Sequence, residues 1–175
     1  MKDVLDQFDE FLYEKQLSFN GVIIGGTALI LMNITNRFTR DIDFIEPVLP
    51  SEIKLAAKTF LNQNKQYQLD AETWLNNGPI SIIESLPIGW QNKKVKIYSG
   101  KAIILYTLGR LDLLKTKLYA YCDRDIDLND CIALKPTLTE LDNCIEWVLQ
   151  GDANEHWPNR VNEQFQKLKK ALGHG

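Results

Sequence analysis

Histidine is almost missing from this chain. His156 and His174 are its only two, both near the C-terminus. A histidine-based zinc centre or a Ser-His-Asp triad therefore has almost no material to draw on. Cysteine is scarce too: Cys122, Cys131 and Cys144 form no C-x-x-C pair, which excludes a disulfide framework and reads as reduced packing residues of a cytoplasmic protein. No apolar run approaches a membrane span, and the opening "MKDVLDQFDEF" lacks the apolar core of a signal peptide, so no membrane association is expected. Neither sign of charge dominates: 20 basic against 23 acidic residues leave a net charge of −3. Wholesale coating of a nucleic acid is thus excluded, though a local basic groove is not. What is present is a chain of 175 residues, 45% apolar, enough for a core without staples. Any catalysis should rest on carboxylates, backbone amides and lysine.

Periodicity divides the chain. Val4, Leu5, Phe8, Phe11 and Leu12 recur at three- and four-residue spacing, predicting an amphipathic helix over 2–16. "GVIIGG" (21–26) reads as a strand entering a tight turn, and "TALILMNIT" (27–35) as an apolar helix capped by Thr27 and ended at Asn36. "RDIDFIE" (40–46) is a second strand stopped by Pro47, and Ser51 is expected to cap a helix running to about Leu61. Three strand-like stretches, "GPISIIESL", "KKVKIYS" and "KAIILYTL", follow between Pro-, Gly- and Asn-rich turns. From Leu111 the pattern turns helical, with a Leu111, Leu114 and Leu118 stripe and further helices over 138–149 and 160–172. The expected fold is α/β (α+β): a mixed sheet with covering helices over 1–107, and a helical part over 108–175 packed on it as one compact domain.

Within "IIGGTALILMNITNRFTRDIDF", a strand closes on Gly25-Gly26, a helix opens, and the next strand carries Asp41 and Asp43. Residues two apart on a strand share a face, so the two carboxylates stand side by side while Ile42 and Phe44 face the other way. Like charges so held repel, and folding gains nothing obvious from the pairing. A divalent cation between them would remove the difficulty. Magnesium takes oxygen ligands and shares them between protein and nucleotide phosphates. Gly-Gly lets the backbone approach a ligand closely, the amides opening the helix can cradle phosphate, and Thr27 adds a hydroxyl.

Gly-Gly-Thr, thirteen further residues, then Asp-x-Asp in an apolar strand resembles the signature of the nucleotidyltransferase superfamily that includes DNA polymerase β. More narrowly, "RFTRDIDF", with Arg37 and Thr39 in phase with the aspartates, is similar to the abortive-infection (AbiEii-type), type IV toxin nucleotidyltransferases of bacteria. "LDLLKTKLYAYCDRDIDLND" (111–130) resembles that family's lysine block and the acidic block after it. The resemblance implies a nucleotidyltransferase fold and a magnesium-dependent transfer of a nucleotide from a nucleoside triphosphate. Asp41 and Asp43 would hold the metal. Gly25, Gly26 and Thr27, with Arg37 and Thr39, would bind the nucleotide. Lys117 would neutralise phosphate charge, and Asp127 would activate the acceptor or complete the metal site. The acceptor implied is RNA, plausibly a tRNA end, with a cognate antitoxin as partner; a protein hydroxyl or a small molecule stays open. The superfamily also places a third carboxylate on a neighbouring strand, for which Asp70, Glu84 and Asp127 are candidates.

Plainer readings stand beside these. Gly-Gly alone is usually a turn, and Asp-x-Asp at a strand end often pairs with a cation such as Arg37 or Arg40. Lys115 and Lys117 both flank the leucine stripe, and either fits a snorkelling surface lysine; only the resemblance selects Lys117. Asp123, Asp125 and Asp127 have calcium-loop spacing, but Leu128 and Leu134 stand where that loop needs glycine and glutamate. Trp74 and Trp90 suit a core as well as a base stack. Lys93, Lys94, Lys96 and Lys101 fit either a nucleic-acid track or a protected sheet edge. The rival to the enzyme is a non-catalytic nucleotide-binding or protein-interaction module on the same fold.

Overall fold

The computed structural model describes residues 1–174, which divide into two units, Met1–Leu108 and Gly109 onward. In the first, α1 (Lys2–Glu14) buries Val4, Leu5, Phe8 and Leu12, the stripe its spacing predicts. β1 (Phe19–Ile24) runs directly into α2 (Gly25–Leu31), followed by β2 (Ile42–Glu46), α3 (Ser51–Gln63), β3 (Leu75–Asn76), β4 (Val95–Ser99) and β5 (Ile103–Thr107). The strands form a mixed five-stranded sheet in the order β3-β2-β1-β5-β4. β1 lies antiparallel to β2 and parallel to β5, β2 is parallel to β3, and β4 is antiparallel to β5. A central strand is covered on both faces, which is why Val22, Ile23 and Ile24 read as an unbroken apolar run. β2 alternates instead: Ile42 and Phe44 are buried, Asp41 and Asp43 half-buried.

Helices α1 and α3 meet through Phe8 and Phe60, whose rings lie 5.4 Å apart, and Trp74 stands edge-on to Phe8 at 5.1 Å. A buried carboxylate fastens α1 to the turn between β4 and β5. Asp9 accepts the backbone N–H groups of Lys101, Ala102 and Ile103 at 2.7, 2.9 and 2.7 Å. Three donors to one carboxylate account for an acid 5% exposed inside an apolar layer.

The second unit is helical: α4 (Arg110–Arg124), α5 (Leu128–Ala133), α6 (Leu138–Leu149) and α7 (Trp157–Ala171). Leu114, Leu118, Tyr121, Leu141, Val148, Val161 and Phe165 make its core. A capping box opens α6. The Glu140 N–H donates to the Thr137 hydroxyl at 3.2 Å, and the Thr137 N–H to the Glu140 carboxylate at 2.9 Å. The three cysteines are free and buried, and burial pushes the Cys122 and Cys144 thiols up to about 12 and about 11. Among the described residues, no helix is long and apolar enough to cross a membrane.

The mixed α/β class is as the sequence predicts, but several boundaries differ. α2 opens at Gly25, so Thr27 lies inside the helix rather than capping it, and its hydroxyl binds the chain before β2. α2 stops at Leu31, well before Asn36, where Asn33 turns into the left-handed region at φ 56°. Ser51 makes no cap bond; Pro50 holds the cap position of α3. The expected strand "GPISIIESL" is a 3₁₀ segment over Ile80–Ser85, entered through Pro79 and without the alternation of a half-buried strand. Leu111 of the expected stripe is 37% exposed, and Leu113 points inward in its place.

Candidate active site

The site begins with strand register. Antiparallel pairing sets Asp43 opposite Ile24, the last residue of β1, and so beside the Gly25-Gly26 turn. Gly25 has φ +79°, and a Cβ there would lie 2.6 Å from Asp43 Oδ2. Only glycine combines that backbone with so close a carboxylate. A Cβ on Gly26 would lie 2.6 Å from Arg37 Nη2 and 3.1 Å from Thr39 Oγ1. The glycine turn is therefore walled by Asp43, Arg37 and Thr39. The buried Thr39 hydroxyl donates to Asp41 Oδ1 at 3.1 Å, and Thr27 Oγ1 donates to the Asp41 carbonyl at 2.6 Å. The Arg37 guanidinium also donates to the Phe38 carbonyl at 3.3 Å, which anchors the loop before β2. All the N-terminal residues singled out by sequence meet here: Gly25, Gly26, Thr27, Arg37, Thr39, Asp41 and Asp43. Thr27 and Thr39 act as fasteners for Asp41, one on its backbone and one on its carboxylate.

Asn76 escaped the sequence reading. It belongs to the two-residue strand β3, where it pairs in register with Asp43. Its amide N–H donates to Asp43 Oδ1 at 3.0 Å and to the Thr73 carbonyl at 3.3 Å, while its Oδ1 accepts the Gly78 N–H at 2.7 Å. Two residues give no period to detect, and "NNG" reads simply as a turn.

The second unit places Lys117 and Asp127 in one buried cluster. Lys117 Nζ lies 3.1 Å from Asp127 Oδ1 and 2.6 Å from Asp130 Oδ2, with all three side chains 8% exposed or less. Arg124 Nη2 holds the other Asp127 oxygen at 3.0 Å. Lys115, the alternative lysine, pairs with Asp112 at 3.3 Å. The calcium-loop reading finds no support: Asp125 takes the left-handed C-cap of α4 and accepts from Gln164, and Asp127 faces Lys117.

Asp70 and Glu84, the candidates for a third carboxylate in the first unit, are both exposed, and Asp70 serves its own turn by accepting the Glu72 N–H at 2.9 Å. Among the described residues, no group of three or more His, Cys, Asp or Glu side chains is arranged to hold a metal ion. The pair Asp41 and Asp43 still suits magnesium by its chemistry. It offers oxygen donors alone, at a turn kept clear of any Cβ, and magnesium completes its shell with water and phosphate rather than a full protein cage. Trp74 and Trp90 are 1% and 3% exposed and belong to the core. Of the lysines near residue 95, Lys96 lies on the edge strand β4 and Lys94 just before it, and they sit over the Tyr106 ring of β5 at 5.9 and 5.8 Å. That arrangement shields the sheet edge.

A protein-family model described as a nucleotidyltransferase of unknown function (DUF6036) matches residues 1–149. The chain belongs to this family. The match spans both the Gly-Gly/Asp-x-Asp block and the Lys117/Asp127 block, and it supports the nucleotidyltransferase superfamily read from sequence. No curated protein and no solved structure matches the chain.

Proposed function

We propose that this family member is a magnesium-dependent nucleotidyltransferase whose nucleotide site is the Gly25-Gly26 turn. One observation carries the reading: Arg37, Thr39, Asp41 and Asp43 converge on two adjacent glycines, where a Cβ would run into the Asp43 carboxylate at Gly25 and displace the Arg37 guanidinium at Gly26. In that reading the triphosphate is received by the glycine turn and by the Arg37 guanidinium, a bidentate cation suited to phosphate. Asp41 and Asp43 hold the cation, with Thr39 and Thr27 fixing Asp41. When bound, magnesium supplies charge neutralisation at the phosphates and assists departure of pyrophosphate. The acceptor oxygen bonds to the α-phosphorus as the bond to the bridging oxygen breaks. The resemblance to toxin nucleotidyltransferases supports an RNA acceptor, such as a tRNA end, and a cognate antitoxin as partner. The same resemblance gives Lys117 and Asp127 a part in transfer, Lys117 neutralising phosphate charge and Asp127 activating the acceptor.

A second reading, a nucleotide-binding module without turnover, is favoured by Asn76, a neutral residue that faces Asp43 from the neighbouring strand β3. Incubating purified protein with each α-labelled nucleoside triphosphate, magnesium and total RNA separates the cases. Label on RNA supports the proposed acceptor, label on the protein redirects it to a protein hydroxyl, and binding without transfer supports the module.

A further inference from the structure

The orientation of the Asn76 carboxamide is fixed by its neighbours. A carboxylate requires a donor on one side, and the Gly78 N–H requires an acceptor on the other; reversing the amide would break both contacts. Asn76 therefore presents an N–H, not an oxygen, to Asp43, and it adds neither charge nor a metal ligand to the pair. Asp41 already receives the Thr39 hydroxyl on one oxygen. One oxygen of each carboxylate thus carries a neutral hydrogen-bond donor from within the protein.

Resting on the magnesium reading above, we propose that this is a two-carboxylate site that recruits its cation as a magnesium–triphosphate complex. Asn76 is the positioning residue that sets this order. Ligand charge count is the main lever on affinity for a hard cation. Two carboxylates, each holding an internal donor, bind the bare ion weakly. The triphosphate brings the missing oxygens and the missing negative charge, while Arg37 beside Gly26 donates to its phosphate oxygens. An aspartate at position 76 would replace the donor with a third anionic oxygen donor facing the pair. The Gly78 turn would survive, since an aspartate oxygen still accepts the Gly78 N–H.

Calorimetric titration with magnesium chloride alone, followed by melts with magnesium and each of the four nucleoside triphosphates, tests the order. The parent should bind bare magnesium with a dissociation constant on the order of 1 mM or weaker, and Asn76→Asp should tighten this by about tenfold or more. Asn76→Ala, which takes the donor off Asp43 but adds no charge, should tighten it by less than Asn76→Asp does, and a variant that leaves it unchanged would show that Asn76 does not set the order. The parent should melt later with magnesium and its triphosphate than with either alone. Parent binding of bare magnesium as tight as the Asn76→Asp variant's, or an Asn76→Asp variant no tighter than the parent, overturns the proposal and leaves the enzyme reading intact. If Asn76→Asp does not fold, the parent decides alone: tight binding of magnesium without nucleotide refutes the order. A parent indifferent to magnesium with any triphosphate sinks the underlying reading instead.

Discussion

Replacing Lys117 by methionine removes a charge and keeps the volume, which isolates the ion cluster of the second unit. Its ammonium lies 2.6 Å from Asp130 and 3.1 Å from Asp127, in surroundings that leave the three side chains 5%, 3% and 8% exposed. Arg124 offers Asp127 a second partner, but its side chain is 56% exposed and compensates weakly. Removing one partner of a buried ion pair costs roughly 3–5 kcal/mol, because the remaining charge keeps its desolvation penalty without its attraction. Against a total stability of about 5–15 kcal/mol this is a large loss. For a chain of this length it corresponds to a melting temperature lower by about 6–20 °C. Urea unfolding and thermal melts at pH 7 measure it. Asp130→Asn in the Lys117→Met background should recover part of the loss, since it removes a buried charge that has lost its lysine. Lys115→Met, which breaks one longer contact, should cost less. A Lys117→Met variant that melts within about 2 °C of the parent would show that the cluster does not hold the unit together. The ammonium would then be available for the phosphate role that resemblance assigns it.

Other perturbations address separate parts of the account. Gly25→Ala should destabilise by about 1–2 kcal/mol through its left-handed backbone alone and also displace the Asp43 carboxylate, whereas Gly26→Ala should leave the melt nearly unchanged and weaken triphosphate binding by pushing Arg37 aside. Equal melts for both variants would refute the distinction. Asp9→Ala leaves three amides, two of them buried, without this acceptor and should cost about 2 kcal/mol or more by urea unfolding, at about 1–3 kcal/mol for each buried group. The buried thiols share in an alkaline loss of stability with the Tyr98 and Tyr121 phenols, which burial also pushes up. The folded values of the thiols, about 12 for Cys122 and about 11 for Cys144, stand above the ordinary 9.0, so the unfolded chain ionises first. Their contribution is complete below pH 9.0 and is lost as pH rises toward 11–12. Cys122→Ser/Cys144→Ser should flatten the decline, and an unchanged alkaline slope would exclude these thiols as its cause.

The glycine turn and Asp-x-Asp strand were legible because each is a local pattern: an apolar run, a glycine pair, then alternation through Ile42 and Phe44. Their convergence needed only that consecutive strands pair, and β1 and β2 do. What stayed hidden arises from distance along the chain. Asp9 meets the β4–β5 turn more than 90 residues away, and a lone acid in an amphipathic helix announces nothing. Asn76 reaches Asp43 across 33 residues from a strand too short to have a period. "GPISIIESL" misled because a short apolar run looks alike whether a proline-led 3₁₀ segment or a strand buries it. Lys117 is preferred to Lys115 by resemblance alone, and its ion-pair partners Asp127 and Asp130 lie on and before α5, a helix too short to stand out.

The central claim, a cation and triphosphate site at Asp41 and Asp43, is tested most directly by melting the parent and Asp41→Asn with and without magnesium and triphosphate. Asparagine keeps an acceptor for the Thr39 hydroxyl and removes one of two like charges. The ligand-free variant should therefore melt at or slightly above the parent. Ligand at about a hundred times its dissociation constant stabilises the parent by about 2.7 kcal/mol, a rise of about 5–10 °C, and the variant should gain much less. If Asp41 instead serves only to hold the strand, the variant melts lower without ligand and gains as much from it as the parent does. That pair of results would contradict the site.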